Sequence, residues 1–265
     1  MQLTVLIDNF SDNEQLAMEH GLSFYIDTGK SRILFDTGQS GAFYRNALKL
    51  GVPIAEVDYL VISHGHFDHT GGIEEFLKYN SHAKILMKPE AVQPKYSNTH
   101  YIGIPHGTEI PEKRLIRVKA RYKIDALSEI TGKIDIVYPE DTHFEHFFIQ
   151  SSGELIPDTF HDELYLTLNS NNSLAIITGC SHNGITNILQ TAQSHHDLPV
   201  KHVFGGFHLS NAEPELLERT SDYLNKLNLS KIVTGHCTGM ENYLQLKKLC
   251  RTEVHYSITG SRYNF

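Results

Sequence analysis

The chain has 265 residues, 40% of them hydrophobic, with 13 Tyr and 13 Phe but no Trp, enough for a sizeable core in one large α/β domain. Asp and Glu outnumber Lys and Arg by 31 to 23, giving a net charge of −8, and the cations form no long run; nucleic acid held by phosphate neutralisation is disfavoured and a small-molecule substrate favoured. No segment reaches the about 18 apolar residues of a membrane span, no signal-peptide pattern opens the chain, and Cys180, Cys237 and Cys250 are too few for a disulfide framework, so a cytoplasmic, reducing setting is expected.

Residues 3–7, 22–26 and 32–35 are short β-branched or aromatic runs between polar turns and predict an opening antiparallel meander. Residues 42–50 predict a helix, with Phe43, Ala47 and Leu50 on one face and Gly51 as its stop. A strand over 58–63 feeds a histidine-rich loop, followed by a helix over 73–79 and a strand over 83–87. From 89 to 122 the chain is punctuated by Pro94, Pro105 and Pro111 and predicts an irregular lid or insertion. Strands are predicted over 134–138, 145–149, 163–168 and 174–178, the third with Leu164, Leu166 and Leu168 alternating onto one face. Helices follow over 183–193 and 211–227; the second carries Leu216, Leu217, Leu224 and Leu227 on one stripe behind an Asn211 cap. Strands over 200–204, 231–234 and 254–258, with a helix over 240–249, complete the chain. Strands followed by helix recur in each half, which fits two sheets packed face to face with helices outside, in one domain spanning 1–265.

The loop after strand 58–63 reads Ser63-His64-Gly65-His66-Phe67-Asp68-His69-Thr70-Gly71-Gly72, an H-x-H-x-D-H pattern that delivers four metal-competent side chains at one strand end. Imidazoles with a carboxylate suit borderline divalent metals such as zinc, and a catalytic site keeps a position open for water. His64 and His66 would hold one metal, Asp68 and His69 a second. Three more histidines stand alike at glycine-flanked strand ends: His182 in Thr178-Gly179-Cys180-Ser181-His182-Asn183-Gly184, His208 in Gly205-Gly206-Phe207-His208, and His236 in Gly235-His236-Cys237-Thr238-Gly239. Alone, each could be a buried hydrogen-bonded histidine. Together they converge on one crevice, where His182 and His236 are expected as metal ligands and His208 as ligand or substrate contact.

The metal motif, with Phe35-Asp36-Thr37-Gly38 ahead of it, resembles the metallo-β-lactamase superfamily. More closely, Glu19-His20-Gly21-Leu22-Ser23, the Asp36-Thr37-Gly38 run and the three histidine turns resemble its branch typified by the 7,8-dihydropterin-6-methyl-4-(β-D-ribofuranosyl)aminobenzene-5′-phosphate synthases, over nearly the whole chain. The resemblance implies a four-layer αββα sandwich with a two-metal site between the sheets. In the wider superfamily a Thr-Gly-Asp supplies a carboxylate bridging the metals; here Thr178-Gly179 is followed by Cys180, so either its thiolate or His182 takes that place, and weaker binding of the second metal is expected. Asp162 or Glu163 is expected as a cleft contact, and Asp36 as a residue that orients a histidine rather than as a ligand.

The chemistry expected is metal-assisted attack of water on a small phosphorylated or ester-like substrate, a phosphodiester first among them. His64, His66 and His182 would hold the first metal, and Asp68, His69 and His236 the second. Zinc is the expected ion for both, with manganese and iron admissible. Asp68 would also orient the water, and His208 and His20 would contact the substrate or assist its leaving group. A transferase like the dihydropterin synthases, joining a pterin diphosphate to a ribosyl-aminobenzene phosphate, is the second class. A metal-containing binding or signalling protein is the third, and the complete ligand set argues against it.

Overall fold

The computed structural model describes residues 1–265. In its first half the chain runs β1 (Gln2–Ile7), β2 (Ser23–Asp27), β3 (Arg32–Phe35), α1 (Ala42–Leu50), β4 (Tyr59–Val61), α2 (Phe67–Thr70), α3 (Ile73–Tyr79), β5 (Lys84–Met87), β6 (Lys95–Ser97), β7 (His100–Tyr101), β8 (Leu115–Arg117), β9 (Arg121–Lys123) and β10 (Ser128–Thr131). The second half adds β11 (Phe147–Ser151), β12 (Glu154–Pro157), β13 (Tyr165–Ser170), β14 (Ser173–Ile177), α4 (Ile185–His195), β15 (Val200–Gly205), α5 (Pro214–Lys226), β16 (Lys231–Thr234), α6 (Met240–Leu249), β17 (Val254–Tyr256) and β18 (Arg262–Asn264).

Two seven-stranded sheets form, in the orders β18-β1-β2-β3-β4-β5-β8 and β17-β16-β15-β14-β13-β10-β9. In each, an antiparallel stretch passes into a parallel one: β3, β4, β5 and β8 run parallel, as do β14, β15, β16 and β17. Period-two alternation decides the layers. Along β13 and the residue before it, Leu164, Leu166 and Leu168 face the other sheet and meet Val5, Phe24, Phe35, Val61 and Leu86, while Tyr165 between them faces outward. Parallel strands are buried on both faces and carry unbroken apolar runs. Thus Ile177, Phe204 and Val233 lie between the sheets, and Ile176, Val203 and Ile232 lie under α4, α5 and α6. On the far side, Phe43 and Ala47 of α1 and Phe76 of α3 cover Leu6, Leu34, Leu60 and Ile62. The result is the expected αββα sandwich. Gly51 closes α1 in the left-handed region (φ 69°), its N–H donating to the carbonyls of Ala47 and Leu48.

Three expectations need correction. The stretch 89–122 is not one irregular insertion. Its β8 and β9 join the two large sheets, and β6 and β7 pair with β11 and β12 in a separate four-stranded sheet, order β12-β11-β6-β7. Residues 134–138 are no strand: the N–H groups of Val137 and Tyr138 donate to Asn187 Oδ1, and that of Asp135 to Thr191 Oγ1, so side chains of α4 satisfy this backbone in place of a ladder. The strand between them and β9 is instead β10. Helix α5 begins at Pro214, whose fixed φ and missing N–H suit a first turn, and Asn211 lies outside it in a pocket wall.

Candidate metal centre

Parallel strands deliver the site at their carboxyl ends, where open α/β sheets bind ligands. Asp36 follows β3 and the His64–His69 loop follows β4; His182, His208 and His236 follow β14, β15 and β16. Four residues at these turns, Asp36, Ser181, His208 and His236, hold positive φ (58°, 61°, 51° and 48°), a backbone strain that costs about 1–3 kcal/mol each and concentrates at functional sites. At Gly179 any side chain would collide with Ser63 Oγ, so the β14 turn closes onto the β4 turn only because this position is glycine.

The histidines fall into two sets. His64, His66 and His182 present ligand atoms within 4.8 Å of one another, and so do Asp68, His69, Cys180 and His236. Every one of these seven side chains is buried. Each set therefore contains the residues the sequence grouped, with His182 beside His64 and His66 and the Cys180 sulfur beside Asp68, His69 and His236. His20, half exposed, reaches in from the rim with Nε2 3.3 Å from Asp68 Oδ2. His208 stands beside His182, ring centroids 4.2 Å apart.

The hydrogen bonds on the far side of each ring decide its tautomer. Asp36 accepts from Ser63 N (2.7 Å) and Ser63 Oγ (2.7 Å), so Ser63 Oγ is left to accept from His64 Nδ1 at 2.9 Å. Likewise His182 Nδ1 donates to the His143 carbonyl (3.2 Å), and His236 Nδ1 to Asn9 Oδ1 (3.0 Å). In all three the Nε2 lone pair is left bare. The Nε2 atoms of His64, His66, His182 and His236 are buried with no aligned hydrogen-bond partner, although His236 Nε2 lies 3.2 Å from Asp68 Oδ2. Four buried, unpaired, convergent imidazole nitrogens are costly without a ligand, and the donor set of imidazole, carboxylate and thiol fits a borderline divalent metal.

Electrostatics separate the two sets. Burial drives His64, His66 and His182 well below the usual histidine range, so all three are neutral. Burial opposes the charge on Asp68, but His69 and His236 hold its carboxyl well below the usual carboxylate range. Burial likewise opposes a charge on His69, but Asp68 and Asp36 (2.7 Å from Nδ1) outweigh it and raise the imidazole. Burial, then neighbouring Cys237, pushes the Cys180 thiol well up. His208 is lowered to about 3 and His143 to about 4, both by burial first.

Asp162 and Glu163 do not face the cleft as expected. Each grips a ligand loop from behind. Asp162 accepts from Gly65 N (2.7 Å) between His64 and His66, and is itself held by Lys95 Nζ (2.9 Å), which also meets Asp158 (2.6 Å). Glu163 accepts from His182 N (2.7 Å), Asn183 N (2.8 Å) and Asn183 Nδ2 (2.8 Å). Burial nonetheless pushes its carboxyl up to about 7. Asp8, whose contacts the sequence did not suggest, plays the same part for His236, accepting its N–H at 2.9 Å. A polar residue directly after a strand was the available signal, and Asp8-Asn9 after β1 carries it.

Over the two sets lies a pocket of about 430 Å³, walled by His20, Phe147, His208, Ser210 and Asn211, with Ser97 and Ile102 from the small-sheet region above. No lysine or arginine lines it. Lys88 is tied to the carbonyls of Lys119 and Gly132, Lys95 is buried in its ion triad, and Lys84 is exposed beside the Lys113 carbonyl.

The sequence pattern described as the Metallo-beta-lactamase superfamily matches residues 18–156. An uncharacterized protein of Methanocaldococcus jannaschii is 31% identical, the match covering 93% of this chain and 94% of that one. The 7,8-dihydropterin-6-methyl-4-(beta-D-ribofuranosyl)-aminobenzene-5′-phosphate synthase of the same organism is 30% identical over 90% of this chain and 87% of its own. Among solved structures, Tm1679, a metal-dependent hydrolase of the beta-lactamase superfamily, is 31% identical and superposes with a TM-score of 0.87 over 100% of this chain and 99% of that chain.

Proposed function

Because the chain belongs to the metallo-β-lactamase superfamily, whose fold implies divalent metal binding, we propose that it is a metal-dependent hydrolase acting on a small phosphodiester or similar ester. The observation that carries this reading is the convergence of four buried imidazole nitrogens without aligned partners, those of His66, His182 and His236 on the floor of one pocket and that of His64 directly behind His66 and His182. His64, His66 and His182 would hold one ion, and Asp68, His69 and His236, with Cys180, a second; zinc is favoured by the nitrogen and sulfur donors. Bound there, such ions supply an activated water at neutral pH and stabilise negative charge developing on the substrate. Asp68, whose Oδ2 lies 3.2 Å from His236 Nε2 and 3.6 Å from His69 Nε2, would orient that water by accepting its hydrogen bond. His208 is neutral at pH 7, so it would hydrogen-bond to the substrate without adding positive charge. His20 would do the same from the rim. The free cysteines suit a reducing compartment, and no helix is long and apolar enough to cross a membrane.

A transferase reading draws support from the 30% identical synthase. A diphosphate-bearing substrate would have its several negative charges met by the metal sites alone, since no lysine or arginine lines the pocket, whereas a diester brings a single charge. A screen of zinc-loaded protein against matched p-nitrophenyl phosphodiester, phosphomonoester, thioester and pterin diphosphate substrates tests the choice. The hydrolase reading expects diester turnover at least about 10-fold above monoester turnover. Coupling of the pterin diphosphate with no ester hydrolysis would overturn it.

A further inference from the structure

Within the pocket wall a second thiol, Cys237, which the proposed hydrolysis does not use, stands beside Cys180 and His208. Cys180, His208 and Cys237 bring their ligand atoms within 4.8 Å of one another, although they follow β14, β15 and β16 in turn. Both cysteines are free and buried, at 2% and 8% exposure, and both line the pocket of about 430 Å³. The space for the second sulfur is made by Gly206: a Cβ at that position would occupy the volume of Cys237 Sγ. That sulfur also has directed partners. It accepts the His208 N–H at 3.3 Å and lies 3.5 Å from the Cys180 carbonyl.

We infer that Cys180 and Cys237 are a peroxide-sensitive dithiol whose closure to a disulfide withdraws the Cys180 sulfur from the second donor set. The oxidant is a hydroperoxide. The Cys237 sulfur, already an acceptor from His208 N–H, attacks the peroxide oxygen; the O–O bond breaks, the thiol proton leaves with the departing oxygen as water or alcohol, and Cys237 becomes a sulfenic acid. The Cys180 sulfur then attacks the Cys237 sulfur, forming the S–S bond, and the sulfenic hydroxyl leaves as water with the Cys180 proton. Two thiols are oxidised by two electrons and one peroxide is reduced. Bond formation at about 2.05 Å needs a short approach from a separation below 4.8 Å. A sulfur held in a disulfide no longer offers a thiolate, so the oxidised chain would hold its second metal weakly; this consequence rests on the metal reading above. Cys250 sits at the end of α6, away from both turns, and serves as the internal control.

The test uses purified protein, zinc-loaded or chelator-stripped, treated with hydrogen peroxide, peptide-mapped without reductant, and assayed for zinc uptake. A Cys180–Cys237 cross-link is expected, strongest in stripped protein, with Cys250 still open to alkylation. Oxidised protein should take up about one zinc fewer per chain, and dithiothreitol should restore it. Cys237→Ser should form no cross-link and keep its zinc uptake after peroxide. Over-oxidation of either cysteine to sulfinic acid without the cross-link would overturn the dithiol, as would a cross-link with unchanged zinc uptake. A cross-link in protein that binds no zinc even when reduced would uphold the thiol pair and sink the metal reading instead.

Discussion

His64, His66 and His182 meet as three neutral imidazoles with bare Nε2 atoms, whereas in the second set Asp68, His69 and Cys180 already contact one another and only His236 Nε2 lacks an aligned partner. In that second set His69 Nε2 lies 3.1 Å from Cys180 Sγ, and Asp68 Oδ2 lies within 3.6 Å of three histidines. The difference has an energetic meaning. Metal entering the first set gains ligands that no protein contact competes for, and it relieves unpaired buried nitrogens. Metal entering the second must displace internal contacts and a thiol proton, because burial holds the Cys180 thiol up. We therefore expect unequal sites, the first tight and the second labile.

The largest effects should come from breaking the first set. His64→Ala or His182→Ala should remove its metal and lower turnover by more than the about 10- to 100-fold that supporting residues command; metal counts and kinetics on the same preparations check this. His236→Ala should cost one metal and leave the first site filled.

The backbone clamps come next. Lys95→Met strands the Asp158 and Asp162 carboxylates in a site where Lys95 is 1% exposed, and should destabilise the fold by about 3–5 kcal/mol in denaturant unfolding. Glu163→Gln turns an acceptor oxygen into an amide against the His182 and Asn183 N–H groups. Its effect should be about a 10- to 100-fold loss of affinity confined to the tighter metal, and equal weakening of both sites would contradict the clamp.

The loop that feeds both sets was legible because H-x-H-x-D-H packs its donors into one turn after one strand, and the αββα layers were legible because outward and inward residues alternate along β13 and run unbroken along β14 to β16. What the sequence concealed are contacts made through backbone. Asp162, Glu163 and Asp8 act on N–H groups of distant loops, and such a partner leaves no mark on residue type. The same holds for residues 134–138, whose β-branched run looks like a strand but gives its N–H groups to α4. In the sheet β12-β11-β6-β7 the pairs β6–β7 and β11–β12 are local hairpins, and what the sequence concealed is the pairing that joins them across about fifty residues, Phe147 with Ser97 for example.

Smaller effects sharpen the contrast further. His208→Ala should leave both metals in place and lower turnover about 10-fold, the loss of one hydrogen bond to substrate; if it sheds a metal and His236→Ala does not, the two assignments are exchanged. Cys180→Asp should raise affinity for the labile metal alone, since a carboxylate sheds its proton far more readily than this buried thiol. Cys180→Ala should retain at least the first metal, and loss of both would make the thiolate essential to the whole centre.

The most direct test of the account is a chelator titration of the zinc-loaded protein, following bound metal and phosphodiester hydrolysis together. We predict about two metals per chain released in two steps, activity falling as metal leaves, and recovery on adding zinc back. Full activity in metal-free protein, or a single metal with no second step, would contradict it.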